Sequence, residues 1–366
     1  MADFDIASVD KNLAVASKVN APDLKLYDVR KPPFQIYGLY NPQTEDVFKR
    51  MPTEVAETVS KEVADGLHRH TAGGRVRFST NSPYVVIKCV MPKITRFHHM
   101  PMTGTTGFDL YIDSPDGRES LYYRTFVPPA DIKDGYESKL TFLEGGTHYV
   151  TINFPLYNRL NELYVGVAEG SVLDEGAPYR DIPPVVYYGS SITQGGCASR
   201  PGNAYQAMVS RALQIDFVNL GFSGSGKAED TMVDYLAGME MSAFVADYDH
   251  NAPNVEHLRA TCQKMYDRIR EKHPTIPYVM ISRPDYFPNE ADSIKRREVI
   301  IDAYHYAIAK GDQNVYYIDG GSIFRGPFED ACTVDGCHPN DLGFSKMAEA
   351  VYAILNRALR DGKLLK

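Results

Sequence analysis

Residues 185–196 read VVYYGSSITQGG. Four consecutive β-branched or aromatic residues, then Gly189-Ser190-Ser191 and a helix-type pattern, describe a strand buried on both faces that ends in a serine-bearing turn. Such strands belong to parallel sheets, and open parallel sheets place their ligands outside the carboxyl ends of the strands. Upstream of this stretch the chain is β-rich, and downstream strand and helix alternate.

Downstream, strand-type runs recur as DFVNLGF (216–222), AFVADYD (243–249), YVMIS (278–282) and VYYID (315–319). The clearest helix between them carries Val255, Leu258, Cys262, Met265 and Ile269 at steps of three and four, behind an Asn254 cap and ending before Pro274. A last helix covers 342–359. This alternation predicts a doubly wound parallel sheet with helices on both faces, an α/β fold.

Upstream, from Arg75 to Ala168, the period is two: RVRFST, YVVIKCVM, FDLYID, ESLYYRTFV, SKLTFL and HYVTINF follow one another without helices. That pattern predicts an all-β sandwich of jelly-roll type. Ser114–Gly117 and Glu144–Thr147 carry the glycine chemistry of hairpin turns. Residues 1–50, with Pro22, Pro32, Pro33 and Pro42, read as a surface arm. Val55, Val59 and Val63 behind a Thr53 cap read as one helix over Thr53–Gly66, and Gly170–Pro184 reads as a linker. The expected organisation is an all-β domain over 1–180 and an α/β domain over 181–366.

The 366 residues carry a formal net charge of -8 and no Lys/Arg block, which excludes a general nucleic-acid binder. The start, MADFDIASVDKN, has neither the basic nor the apolar segment of a signal peptide, and no apolar run approaches about 18 residues. The expectation is a cytoplasmic protein without a membrane span, secreted only if a leader has been removed. Cys89, Cys197, Cys262, Cys332 and Cys337, an odd number spread over a long chain, read as reduced thiols.

Four strand-end elements could carry chemistry. Ser191 is the first, although Gly-Ser-Ser is also plain turn chemistry. The second, Asn219–Lys227, is a glycine-rich loop whose N–H groups can face a phosphate or an oxyanion. The third, Ala246–Pro253, offers the Asn251 amide as a neutral, directional donor, against its simpler use as a cap before Pro253. In the fourth, Asp335–Asn340, a carboxylate three residues before His338 can hold imidazole Nδ1 and turn Nε2 toward a nucleophile. Two rivals are weaker. A P-loop over Gly221–Lys227, with Asp247 or Asp249 on magnesium, lacks its hydroxyl because Ala228 stands there. A metal site from Cys332, Asp335, Cys337 and His338 crowds four ligands into seven residues. His68, His70, His98 and His99 are assigned no role.

In order, GSSITQG, NLGFSGSG, DYDHN and DGCHPN resemble the blocks of the SGNH (GDSL-type) hydrolases. The resemblance implies a flavodoxin-like sheet, Ser191 as nucleophile, His338 as base oriented by Asp335, and an oxyanion hole from Ser191, Gly224 and Asn251. Ser190 replaces the usual Asp, the third block lacks its Gly-x-Asn-Asp form and carries an extra residue, and Cys337 sits inside the acid–base loop. A β-sandwich before such a domain is similar to bacterial carbohydrate esterases that deacetylate plant polysaccharides or oligosaccharides. It implies hydrolysis of small acyl, chiefly acetyl, esters of oligosaccharides with no metal or organic cofactor. The partners expected are a small-molecule or oligosaccharide ester, with no nucleic acid and no membrane; a homo-oligomer is compatible. A lipid or thioester acylhydrolase on the same triad and a non-catalytic carbohydrate-binding protein are the alternatives.

Overall fold

The structure is a computed structural model that describes residues 18–284 and 289–365. Its first half holds strands β1 (Leu24–Asp28), β2 (Gln35–Tyr37), β3 (Arg75–Thr80), β4 (Tyr84–Val90), β5 (Phe108–Asp113), β6 (Ser120–Phe126), β7 (Gly135–Thr141), β8 (His148–Asn153), β9 (Glu162–Ala168) and β10 (Leu173–Glu175). They form two antiparallel sheets, ordered β1-β9-β4-β7 and β10-β3-β8-β5-β6, with β2 beside β10 along the outer edge of β3. Their inner faces share one core that includes Val76, Phe78, Ile87, Phe108, Ile152 and Val165. This is the sandwich that the period-two runs predict.

Local readings differ at four places. Ser114–Gly117 does close the β5–β6 hairpin, with Gly117 at φ 70°. Glu144–Thr147 does not close one: it carries the chain from β7 in one sheet to β8 in the other. The helix expected over Thr53–Gly66 is two, α1 (Thr53–Val59) and α2 (Lys61–Asp65), because Ser60 leaves the helix and caps the second with its hydroxyl on Val63 N; Thr53 is not a cap. The arm and the linker each supply edge strands, β1 and β2 from the first and β10 from the second.

The second half follows the doubly wound plan. Strands β11 (Val185–Gly189), β12 (Phe217–Gly221), β13 (Ala243–Asp247), β14 (Tyr278–Ile281) and β15 (Val315–Ile318) are all parallel, in the order β12-β11-β13-β14-β15. This is the flavodoxin-like order, whose ligand crevice opens between the first and third strands of the unit. Alternate residues of β11 feed two cores, Val185 and Tyr187 into one, Val186 and Tyr188 into the other, so both faces are covered. Gly189 pairs with Gly221 and with Asp247, so three strands end level. Whatever follows them emerges at one rim.

Among the described residues no helix is long and apolar enough to cross a membrane. The two halves are clamped by buried guanidinium groups. Arg50 donates to Asn219 O (3.1 Å) and Gly221 O (2.6 Å) at the end of β12, and Arg75 on β3 pairs with Asp216 and donates to Phe217 O (3.2 Å). Both arginines are 1 % exposed. Docking through Arg75 explains why β3 is buried along its whole length rather than alternately.

Candidate active site

Ser191 opens a four-residue helical turn, Ser191–Gln194. Ser190 caps the turn by accepting from Ile192 N (3.1 Å). Gly189 is required before it, since a Cβ there would lie 2.1 Å from Asp247 O and from Thr193 Oγ1. The Ser191 hydroxyl lies 2.9 Å from His338 Nε2, and His338 Nδ1 lies 2.7 Å from Asp335 Oδ2.

The loop that brings His338 there is held at both ends. Val334 N donates to His338 O (2.9 Å), Asn340 N to Cys332 O (3.0 Å), and the Asn340 side chain caps the last helix, Asp341–Asp361. Cys197 N donates to Pro339 O (2.8 Å) and Ser199 N to Asp341 Oδ1 (2.8 Å), tying the segment after Ser191 to the acid–base loop. Burial pushes the Asp335 carboxyl up, but the His338 amide, the His338 ring and the Cys337 amide outweigh it and hold the group at about 2. Asp335 therefore stays an anion beside the ring.

The glycine-rich loop folds back over β11, with Phe222 N on Gly189 O (2.9 Å) and Ser223 N on Gln194 Oε1 (3.0 Å). Gly224 sits at φ 70° with open space where a Cβ would be. Asn251, in the turn after β13, accepts from Gly226 N at 3.1 Å through Oδ1, which points its amide nitrogen away from that bond. Among the described residues, Ser191 N, Gly224 N and Asn251 Nδ2 make no hydrogen bond. Three loops at this rim, one of them the turn of Ser191 itself, thus carry donors that make no hydrogen bond among the described residues.

Neither Asp247 nor Asp249 is disposed to hold magnesium. Asp247 Oδ2 accepts from Thr193 Oγ1 (3.0 Å) and Tyr205 OH (3.2 Å) beneath the nucleophile turn, and burial pushes its carboxyl up to about 7. Asp249 is held by Arg283, 3.0 Å from Nε. Cys332 is buried with its thiol on Phe328 O, and Asp335 is spent on His338. The two rival readings therefore find their residues otherwise engaged.

Several residues at the site carried no sequence signal. Tyr157 OH donates to Ser191 O (2.8 Å), and Gln194 Nε2 lies 3.0 Å from His70 Nδ1, whose ring burial lowers to about 3. The His99 ring lies 5.3 Å from that of His338, and Phe97 follows at 5.3 Å from Tyr157. Beside this aromatic row opens a cavity of about 340 Å³ lined by Phe97, Tyr157, Asn158, Arg159, Lys93, Asp65 and Ser223 among others. Only the adjacent histidines between Pro92 and Pro101 mark this loop in the sequence.

Comparison with known proteins follows the same division. No curated protein matches the chain. Among solved structures, a Bacteroides ovatus protein described as a GDSL-like lipase is 28% identical, with a TM-score of 0.81 over 92% of this chain and 98% of its own. The salicylyl-acyltransferase SsfX3 of a tetracycline biosynthetic pathway shares the fold at 21% identity and a TM-score of 0.74, over 92% and 98%. A family two carbohydrate esterase from Clostridium thermocellum shares it at 13% identity and 0.62, over 90% and 99%. Residues 24–173 match the N-terminus of SGNH-hydro-type esterases, and residues 183–356 match the GDSL-like lipase/acylhydrolase family. With these two matches in the order the fold requires, the chain belongs to the SGNH (GDSL-type) hydrolases.

Proposed function

We propose that this acylhydrolase is a serine esterase that removes small acyl groups, acetyl first among them, from oligosaccharides. The observation that carries the chemistry is the unbroken relay from Asp335 through both nitrogens of His338 to the Ser191 hydroxyl, at 2.7 and 2.9 Å. His338 Nε2 takes the Ser191 proton as Oγ attacks the ester carbonyl, and the imidazolium is stabilised by the ionised Asp335. The oxyanion accepts from Ser191 N, Gly224 N and Asn251 Nδ2. The departing alcohol takes the proton from His338, and water, activated by the same ring, releases the acid.

The substrate class rests on the surroundings. Ser191 is 8% exposed, which suits a short acyl chain. The neighbouring cavity joins the rings of Phe97 and Tyr157 to hydrogen-bonding groups on Asn158, Arg159 and Lys93, a lining suited to a hydroxyl-rich ring. The structural likeness to family two carbohydrate esterases and to an acetyl xylan esterase from Butyrivibrio proteoclasticus (12% identity, TM-score 0.57, 92% of this chain and 98% of that one) agrees with that class.

The test is acetate release from acetylated xylo- and manno-oligosaccharides, with p-nitrophenyl acetate and butyrate alongside, comparing wild type with Ser191→Ala. Release of acetate that vanishes in a folded Ser191→Ala protein is expected. Equal rates in the two proteins would remove the nucleophile assignment, and a preference for butyrate would remove the acetyl assignment.

A further inference from the structure

We infer that His99, Cys197 and His338 form a binding site for a borderline-soft divalent cation, zinc before others, which competes with Ser191 for the imidazole. One candidate ligand atom from each of the three residues lies within 4.8 Å of the other two. No other group of three such residues gathers in this way among the described residues. The three come from separate places: the loop after β4, the segment following the nucleophile turn, and the acid–base loop.

A thiolate with two imidazoles is a donor set that selects zinc over magnesium or calcium, and three protein ligands leave the fourth tetrahedral position open. In such a site, ligand atoms about 2.0–2.3 Å from the metal stand roughly 3.5 Å apart. No pair stands farther apart than 4.8 Å, so closing asks for at most about 1.3 Å per pair, and His99 is the ligand whose exposed side chain can rotate.

The other two ligands are already fixed. Cys197 is 3% exposed, and its amide is held on Pro339 O at 2.8 Å, beside His338. His338 donates Nδ1–H to Asp335, the carboxylate–imidazole arrangement that orients a zinc-binding histidine and raises its basicity. The pairing that would serve catalysis is therefore also the outer support a metal site needs.

Binding is a simple exchange. The Cys197 thiol releases its proton to solvent as sulfur bonds the metal, while His99 and His338 each give a neutral nitrogen lone pair. Because Nδ1 of His338 is committed to Asp335, the metal takes Nε2, and the Ser191 O–H···Nε2 hydrogen bond of 2.9 Å is lost. No electron changes hands. The consequence is a reversible block of the relay by a borderline-soft cation, lifted by chelation.

The site does not depend on the esterase reading, so it is tested by binding first and hydrolysis second. Zinc is titrated calorimetrically into the full chain, and cobalt(II) is titrated with absorbance in the near-ultraviolet, where a thiolate–cobalt charge-transfer band reports Cys197. Expected are one equivalent bound, the cobalt band, and hydrolysis of p-nitrophenyl acetate that falls with zinc and returns with EDTA. His99→Ala, at an exposed position that leaves folding intact, and Cys197→Ala should each weaken binding by on the order of 100-fold. The band should vanish in Cys197→Ala, persist in Ser191→Ala, and be untouched in His98→Ala. Zinc affinity unchanged in His99→Ala, or a band that survives Cys197→Ala and disappears in Cys337→Ala, would overturn the assignment. Binding without loss of hydrolysis would overturn the competition, and binding in a chain without esterase activity would leave the site standing while the proposed function fell.

Discussion

Asn251 is assigned two separate tasks, and two substitutions pull them apart. Its Oδ1 accepts from Gly226 N at 3.1 Å and pins the glycine-rich loop, while its Nδ2 is the side-chain donor of the proposed oxyanion hole. Asn251→Ala removes both. Loss of one oxyanion donor costs about 2.7–4 kcal/mol of barrier, a fall of about 10²–10³ in kcat, and the buried Gly226 loses the acceptor of its amide, which costs about 1–3 kcal/mol of stability. Asn251→Asp keeps an acceptor for Gly226 N, so the thermal midpoint should stay at the wild-type value. It replaces the donor with a negative charge beside a developing anion, so kcat should fall at least as far as in the alanine variant. The assay is saturating p-nitrophenyl acetate hydrolysis with parallel thermal unfolding. An aspartate variant within about threefold of wild-type kcat would refute the argument, because a carboxylate cannot stand in for the amide donor.

Two further substitutions probe the carboxylates. Asp335→Asn keeps the shape of the loop but favours the wrong tautomer of His338, and a fall of about 10⁴ in kcat is expected from the role of the triad carboxylate; steady-state kinetics on a folded variant decide it. Asp247 shows the opposite electrostatics. Burial pushes its carboxyl from about 3.9 in an unfolded chain to about 7, so it favours the folded state fully only below about pH 4, and that contribution is lost as pH rises through about 7. The effect is on the order of 4 kcal/mol at its limit. Thermal midpoints between pH 4 and 8 should decline in the wild type and flatten in Asp247→Asn; parallel curves for the two proteins would show that Asp247 is not the group responsible.

What was legible in the sequence was local. Ser191 at a strand end and the carboxylate three residues before His338 can be read from their own stretches, while Gly224 and Asn251 are assigned to the oxyanion hole only through the family resemblance. That the sheet is parallel likewise follows from buried runs that alternate with amphipathic ones, whereas its strand order is implied only by the family resemblance. Where a turn leads is not local: Gly145 and Gly146 suit a hairpin and a passage between sheets equally, and only the pairing partners of β7 and β8 distinguish them. Valines at steps of four across Thr53–Gly66 hide the break at Ser60, whose hydroxyl competes with the helix for Val63 N. His99 and Tyr157 belong to no block, and Gln194 lies inside GSSITQG without a role being read for it there. They reach the site through packing between the two halves, which has no signature in any one stretch of chain.

That packing also determines how the access side of the crevice behaves. The nucleophile, the base and the proposed donors all lie after β11, but the aromatic row and most of the cavity wall come from residues 65–159. A hinge between the halves would have to release Arg50 from Asn219 O and Gly221 O, and Arg75 from Phe217 O and Asp216. Burial lowers Arg50 to about 9, so the guanidinium remains a cation at neutral pH and depends on those carbonyls for its solvation. Opening would exchange these buried hydrogen bonds for hydrogen bonds to water, at a net cost of about 1.5–3 kcal/mol for each bond to a charged donor. Under the proposed esterase reading, selectivity among esters is expected to follow side chains such as Phe97, Tyr157 and Arg159 that line the cavity.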